Sequence, residues 1–265
     1  MLPPILCYHK VDTRFELGFT QVEPRVFRRQ VEALARAGYR TLGSAEVLER
    51  LAAPPAPSRD LELVLTFDDG YAGLDRHAFP VLADHGFKAL VFAISDYVGR
   101  DNDWDVHYGW RRFAHLDWDD LARWQERGIE VHSHGATHAR LTWLSDAQVA
   151  EELGRSREAI GRRLGRRPDG VCYPFGSVDA RVRRLAVESG YRLGFAGPSG
   201  RSGDALALPR LPVYGWDRFR LPLVLGRSPL SGIGRGLAHV TNRCAVGTAV
   251  IQRALGQRYR RPTPA

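Results

Sequence analysis

A chain of 265 residues, 44% hydrophobic and 26% charged, is long enough for a single α/β barrel and too apolar to be disordered. Its formal charge of +8 rests on arginine, with lysine only at Lys10 and Lys88. No helix-turn-helix, RNP or zinc-finger pattern accompanies that charge, which argues against a nucleic-acid binder and for solvated helix faces.

In chain order, "MLPPILCYHK" has too short an apolar run and no basic segment to be a secretion leader. No stretch reaches the ~18 apolar residues of a membrane span, so the expected location is the cytoplasm. "PPILCYH" reads as a short strand. "EPRVFRRQVEALARAGYR" predicts a helix with Phe27, Val31, Leu34 and Ala35 on one face and Gly38 as its stop. "APPAPS" is a loop, and "LELVLTF" (61–67) is a strand whose apolar run implies burial on both faces. "LDRHAFPVLADHGF" fits a helix with a kink or restart at Pro80, and "KALVFAI" the next strand. Residues 96–116 form a long aromatic and polar loop of the kind that carries function. "DWDDLARWQERG" is a short helix and "IEVHSH" a strand. "LSDAQVAEELGRSREAIGRRLG" is a long helix opened by a Ser145–Gln148 capping box. "DGVCYPFG", "DARVRRLAVESGY" and "RLGFAG" continue as strand, helix and strand. Strand and helix alternate at least five times, which predicts a parallel sheet with helical crossovers, open or closed. The rhythm breaks after about residue 218. The basic segment 219–265 is read as closing helices or as an arm that binds a partner or a membrane surface. The three cysteines, Cys7, Cys172 and Cys244, make no CxxC pair and an odd set, so no disulfide framework is expected.

In parallel α/β folds the chemistry lies at the carboxyl ends of the strands. Three unusual clusters fall there: "TFDDG", "HSHGATH" and "YPFG". Two adjacent carboxylates repel unless a cation relieves them. Gly70 permits the turn that would let Asp68 and Asp69 serve one site. His134 and His138, four apart across a glycine and small residues, suit a loop that aims two imidazoles at one ion. Imidazole with carboxylate fits Zn²⁺ and similar first-row ions.

These clusters carry a resemblance. "TFDDG", "SHGATHARL" and "CYPFG" resemble, in order and spacing, the first three motifs of the polysaccharide deacetylase family, the NodB-homology or carbohydrate esterase family 4 group. The likeness covers about residues 5–215. "PILCYHKV" and the helix that follows are similar to the subgroup that deacetylates poly-N-acetylglucosamine. The resemblance implies a distorted (β/α)7-type barrel with parallel strands over residues 1–218. It implies one divalent metal held by Asp69, His134 and His138, with Zn²⁺ the default and Co²⁺, Ni²⁺ or Fe²⁺ compatible. It implies hydrolysis of an acetamide on an N-acetylated sugar, polymeric or small, by a metal-bound water. Asp68 would be the general base, and the Phe175 N–H an oxyanion donor. Tyr173 and Pro174 of the third motif would line the substrate.

The chain departs from the pattern in two places. The arginine that usually braces the base is replaced by Cys172, so another group must orient Asp68. The usual motif-five histidine has no counterpart in "LPRLPVYGWD". His9, at the end of the first strand, is the first candidate acid; His132 is the second, and His107 and His115 follow. Trp104, Tyr108, Trp110 and Trp216, with Tyr97, Trp143 and Tyr214, are candidates to stack on sugar rings. Three other functions stay open on the same scaffold: an O-acetyl esterase, a hydrolase of a small cyclic amide, and a catalytically silent glycan binder.

Overall fold

The structure, a computed structural model, describes residues 2–14, 20–53, 61–102, 112–198, 200 and 203–214. The segment 219–265, the boundary at 218, and Trp104, His107, Tyr108, Trp110, Trp216 and Cys244 lie outside these residues.

Strand β1 (Ile5–Tyr8) is followed by a small parallel pair, β2 (Lys10–Val11) and β3 (Gln21–Val22). Helix α1 (Pro24–Arg36) starts where the Glu23 side chain accepts from Val26 N–H and ends before Gly38, whose φ is 80°. Then come β4 (Arg40–Thr41), α2 (Ser44–Ala52) and β5 (Glu62–Phe67). The segment around Pro80 splits into α3 (Gly73–His77) and α4 (Phe79–Asp84). The proline sits in the first turn of the second helix, where its missing N–H costs nothing. The chain continues through β6 (Ala89–Ala93), α5 (Trp118–Gln125), β7 (Ile129–Ser133), α6 (Asp146–Leu164), β8 (Gly170–Cys172), α7 (Ala180–Glu188), β9 (Leu193–Phe195) and β10 (Leu211–Pro212). The Ser145–Gln148 capping box opens α6 as its sequence predicts.

The sheet runs β10-β1-β5-β6-β7-β8-β9, with β4 beside β5, and every pair is parallel. It curls because its two edges share one segment. Leu208 bridges Phe195 of β9 and exchanges backbone bonds with Gly194 and Ala196. A few residues on, Leu211 pairs with Leu6 of β1, and Val213 N–H donates to Cys7 C=O. This is the expected (β/α)7-type barrel. Among the described residues no helix is long and apolar enough to cross a membrane.

Two-residue alternation along the strands sorts side chains into layers. Leu63, Leu65 and Phe67 face outward and join Phe27, Val31 and Leu34 of α1 and Phe79 and Leu82 of α4 in one core. Phe67 is held by rings on several sides: Tyr8, Phe27 and Phe79 lie 5.4, 5.9 and 5.7 Å away. Val64 faces inward with Leu90, Phe92, Cys172, Leu193, Phe195 and Leu208. All six residues of β5 are therefore buried, as its unbroken apolar run requires. A third cluster seats α6 and α7 against β8 through Leu153, Val171, Val182 and Tyr191.

Five short elements carry no readable signal. Helix α2 has nine residues and a glycine N-cap, and β2, β3, β4 and β10 have two residues each. None offers enough residues for a periodic pattern.

Candidate active site

The inward positions next to the strand ends supply the site. On β5 the alternation that buries Val64 and Thr66 inside brings Asp68 to the mouth, and Asp69 follows in a left-handed turn at φ 67°. On β7 the inward series is Glu130, His132, His134. On β8 it is Cys172. Three non-glycine residues among those described have positive φ: Asp69, His138 (62°) and Phe175 (60°). All three belong to the motifs singled out in the sequence. Such backbone conformations cost free energy and persist where the surroundings impose them.

Asp68 is 3% exposed and is clamped by Arg210, itself 4% exposed. Arg210 Nη1 and Nη2 donate to Asp68 Oδ1 and Oδ2 at 2.6 and 2.8 Å. The same guanidinium donates to Thr66 Oγ1, Ala196 C=O and Cys172 Sγ at 3.2, 3.1 and 2.9 Å. Cys7 and Cys172 thiols each approach Asp68 Oδ2 at 3.5 Å, and burial pushes both thiols up, so they remain protonated donors. Burial alone would raise the Asp68 carboxyl. The charge and two hydrogen bonds of Arg210 outweigh burial and hold it well below the usual carboxylate range.

The orienting arginine that the third motif lacks thus arrives from the closing segment. Sequence reading missed it because Arg210 is 142 residues from its partner. Its only trace is an arginine in the otherwise apolar "LPRLPV".

Asp69 has a different environment. Its Oδ1 is buried and accepts no hydrogen bond, while Nε2 of His134 and Nε2 of His138 each stand 3.4 Å away. Ligand atoms of these three residues lie within 4.8 Å of one another. His134 Nδ1 donates to Cys172 C=O at 2.8 Å, which fixes the ring with Nε2 as the atom directed at Asp69. Burial pushes His138 down to about 3, so its imidazole is neutral. Burial raises the Asp69 carboxyl, but the neighbouring imidazoles outweigh it and keep the group ionised. Arg210 pairs with Asp68; no arginine or lysine among the described residues pairs with Asp69. One carboxylate and two imidazoles that converge in this way fit a divalent cation. Two further groupings, Cys7–His9–Asp68 and Asp68–His134–Cys172, also bring ligand atoms together. Both depend on Asp68, whose charge Arg210 already neutralises.

The histidines separate by role. His9 Nε2 lies 3.8 Å from Asp68 Oδ2, and its side chain is 26% exposed at the mouth. Burial lowers its imidazole, and the two aspartates partly oppose that. His132, the second candidate acid, is a correction: it lies one inward step deeper than His134 and is closed off. Gly170 N–H donates to its Nδ1 at 3.2 Å, which leaves Nε2 to donate to Glu130 Oε2 at 3.3 Å. His115 is also a correction. Its ring is buried and stacked on Tyr71, and its Nδ1–H donates to Asp69 C=O at 2.7 Å. It braces the strained aspartate instead of facing a substrate.

Phe175 packs its ring against His138 with centroids 4.9 Å apart. Pro174 is buried beside the histidine loop. The expectation for the Tyr173 side chain is corrected. Its ring is fully buried in the α6–α7 core and its hydroxyl donates to Leu206 C=O at 2.9 Å, so it does not face the mouth. Tyr97 and Tyr214 are buried, whereas Trp143 is 45% exposed.

Comparison with known proteins shows the family and the fold. A family model described as "Polysaccharide deacetylase" matches residues 56–194. The chain is 28% identical over 213 residues to YxkH of Bacillus subtilis, which carries the name of a polysaccharide deacetylase. That likeness covers 79% of this chain and 71% of the relative. It is also 28% identical over 142 residues to the poly-beta-1,6-N-acetyl-D-glucosamine N-deacetylase of Escherichia coli, over 53% of this chain and 20% of that longer protein. Among solved structures, the fold is similar to that of the deacetylase PplD of Streptococcus pyogenes, with a TM-score of 0.71 and 22% identity over 81% of this chain and 93% of that one.

Proposed function

Because the chain belongs to the polysaccharide deacetylase family, we propose that it is a metal-dependent de-N-acetylase that hydrolyses the acetamide of an N-acetylated amino sugar to free amine and acetate. The observation that carries this reading is the pair of unlike aspartates. Asp68 is neutralised by Arg210, while Asp69 faces Nε2 of two imidazoles and has no guanidinium partner among the described residues. A relative whose name specifies poly-N-acetylglucosamine supports a substrate of that class.

Asp69, His134 and His138 would hold the cation, Zn²⁺ by default. Bound there, a divalent cation supplies Lewis acidity that polarises the acetamide carbonyl and acidifies water. Asp68 accepts the proton of the attacking water. Its tight pairing with Arg210 makes it a weak base and a well-aimed one, so it does not keep the proton. His9 Nε2, 3.8 Å away, takes that proton and delivers it to the leaving nitrogen as the C–N bond breaks. The Phe175 N–H, fixed in its left-handed turn, donates to the oxyanion between attack and departure.

The test is metal content and acetate release on the same samples of wild type and Asp69→Ala, with N-acetylglucosamine oligomers and matched O-acetyl esters. Near one metal per wild-type chain, lost in the variant together with amide hydrolysis, is the expected outcome. Ester cleavage alone would make the protein an esterase. Metal without turnover of either would make it a silent binder, and no metal in the wild type would remove the mechanism.

A further inference from the structure

We propose that Glu152 is a positioning residue that holds the 135–138 loop in the conformation that presents His138 to the cation. This rests on the reading that Asp69, His134 and His138 bind a metal.

Glu152 lies on the inward face of α6 with Val149, Leu153, Ser156 and Ile160, and is fully buried. A carboxylate at such a position is destabilising unless donors surround it. The donors all come from the histidine loop. Oε2 accepts from Ala136 N–H at 3.0 Å and Thr137 N–H at 2.9 Å, and Oε1 accepts from Thr137 Oγ1–H at 2.9 Å. Arg155 approaches Oε1 at 3.6 Å and pairs with Asp96 at 3.0 Å on its other side.

Three further peptide groups of the loop are also fixed. Gly135 N–H donates to Ser133 Oγ at 3.1 Å, and that hydroxyl is 2.8 Å from Ser156 Oγ of the same helix. Ser95 N–H and Asp96 N–H donate to Gly135 C=O and Ala136 C=O at 3.2 and 3.0 Å. The β6 end therefore holds the loop's carbonyls, and Glu152 holds its amides. Between these two grips the chain passes through φ 78° at Gly135 and 62° at His138. The second value is unfavourable for histidine and needs outside support. Gly135 also admits the carboxylate physically: a Cβ there would lie 3.3 Å from Glu152 Oε2. Without Glu152, two buried amides lose their acceptor and the loop is free to relax. His138 is the ligand that moves, because His134 is anchored separately through Cys172 C=O.

The experiment is a Co²⁺ titration of the full chain, read by the ligand-field absorption of the bound ion, for wild type and variants. Glu152→Ala is expected to lose about 10- to 100-fold in affinity, the range found when a partner of a metal ligand is removed. Its absorption should shift as one imidazole leaves. Glu152→Gln keeps an oxygen for both amides and is expected to restore most of the affinity. Glu158→Gln, on the same helix with 41% of its side chain exposed, should bind like wild type. Thermal unfolding without metal shows whether each variant is folded. Should Glu152→Ala fail to fold, Thr137→Val, which removes one bond of the clamp, should show a smaller loss in the same direction. Wild-type affinity and spectrum in folded Glu152→Ala, or in Thr137→Val where that variant stands in, would reduce Glu152 to a packing role. Failure of the wild type to bind Co²⁺ would instead overturn the metal reading beneath it.

Discussion

Asp68 and Asp69 are adjacent in sequence and opposite in circumstance, and single substitutions should separate them. Asp68→Asn is expected to keep its metal and lose acetate release by roughly 10²- to 10⁴-fold, the usual worth of a proton-transfer group. Asp69→Asn is expected to lose the metal itself; equal metal loss in both variants would contradict the division of roles. Arg210→Ala leaves a buried carboxylate without its counter-charge. It should cost about 3–5 kcal/mol in chemical denaturation, more than Arg210→Lys, which keeps the charge but not the two-bond fork. Protons should also compete with the cation. Burial lowers the His134 imidazole, but Cys172, the Asp69 contact and the Asp68 charge raise it overall, so a cation entering the trio must displace a proton from it. Metal affinity should therefore rise with pH, with proton release on binding in weakly buffered solution; affinity flat between pH 5.5 and 7.5 would exclude that competition. The two aspartates and the two histidines were legible because strand ends and a glycine turn mark them locally. Arg210 was not, because its meaning depends on closure of the barrel.

The elements show the same division. Helices α1 and α6 and strand β5 announce themselves by period and caps, whereas the start of α2 takes a tertiary bond that no local pattern encodes. Glu130 of β7 accepts Ser44 N–H at the start of α2 through both oxygens, at 3.2 and 3.0 Å, and receives His132 from the other side. The third histidine of the cluster, unexplained by spacing alone, thus joins β7 and β8 to α2. Burial by itself would raise the Glu130 carboxyl, but His132 and the Ser44 amide hold it down at about 2, against an ordinary value of 4.5. A carboxyl depressed in the folded state adds stability above its unfolded value, and that contribution is lost as pH falls from about 4.5 towards about 2. Its size is at most on the order of 3 kcal/mol. Denaturation of Glu130→Gln should differ from wild type at pH 7 and converge with it near pH 2. A gap that persists unchanged into acid would mean that the carboxylate charge is not what stabilises α2.

At the scale of the whole molecule, much of the arginine excess is spread over helix surfaces in exposed pairs. Arg123 meets Asp75 and Asp120, and Arg181 and Arg184 share Asp146. Such pairs contribute little each, and they fit the reading of the basic charge as solvated faces. The larger lever is the site itself, since a cation that binds only the folded barrel stabilises it by mass action. At a free metal concentration a hundred times Kd the gain is about 2.7 kcal/mol. For a chain of this size that corresponds to a rise in Tm of several degrees. Thermal unfolding before and after exhaustive chelation should show it, and an identical Tm in both states would mean that folding and cation binding are uncoupled.

The clamp on Asp68 also sets an order of events during synthesis. The carboxylate leaves the ribosome 142 residues ahead of the guanidinium that neutralises it. Until residues 208–213 emerge and join β9 to β1, the growing chain has a central strand ending in a charge it cannot comfortably bury. Sealing the barrel and clamping Asp68 are therefore one step, so a nascent or truncated chain that stops short of Arg210 should gather helices α1–α7 and still release no acetate.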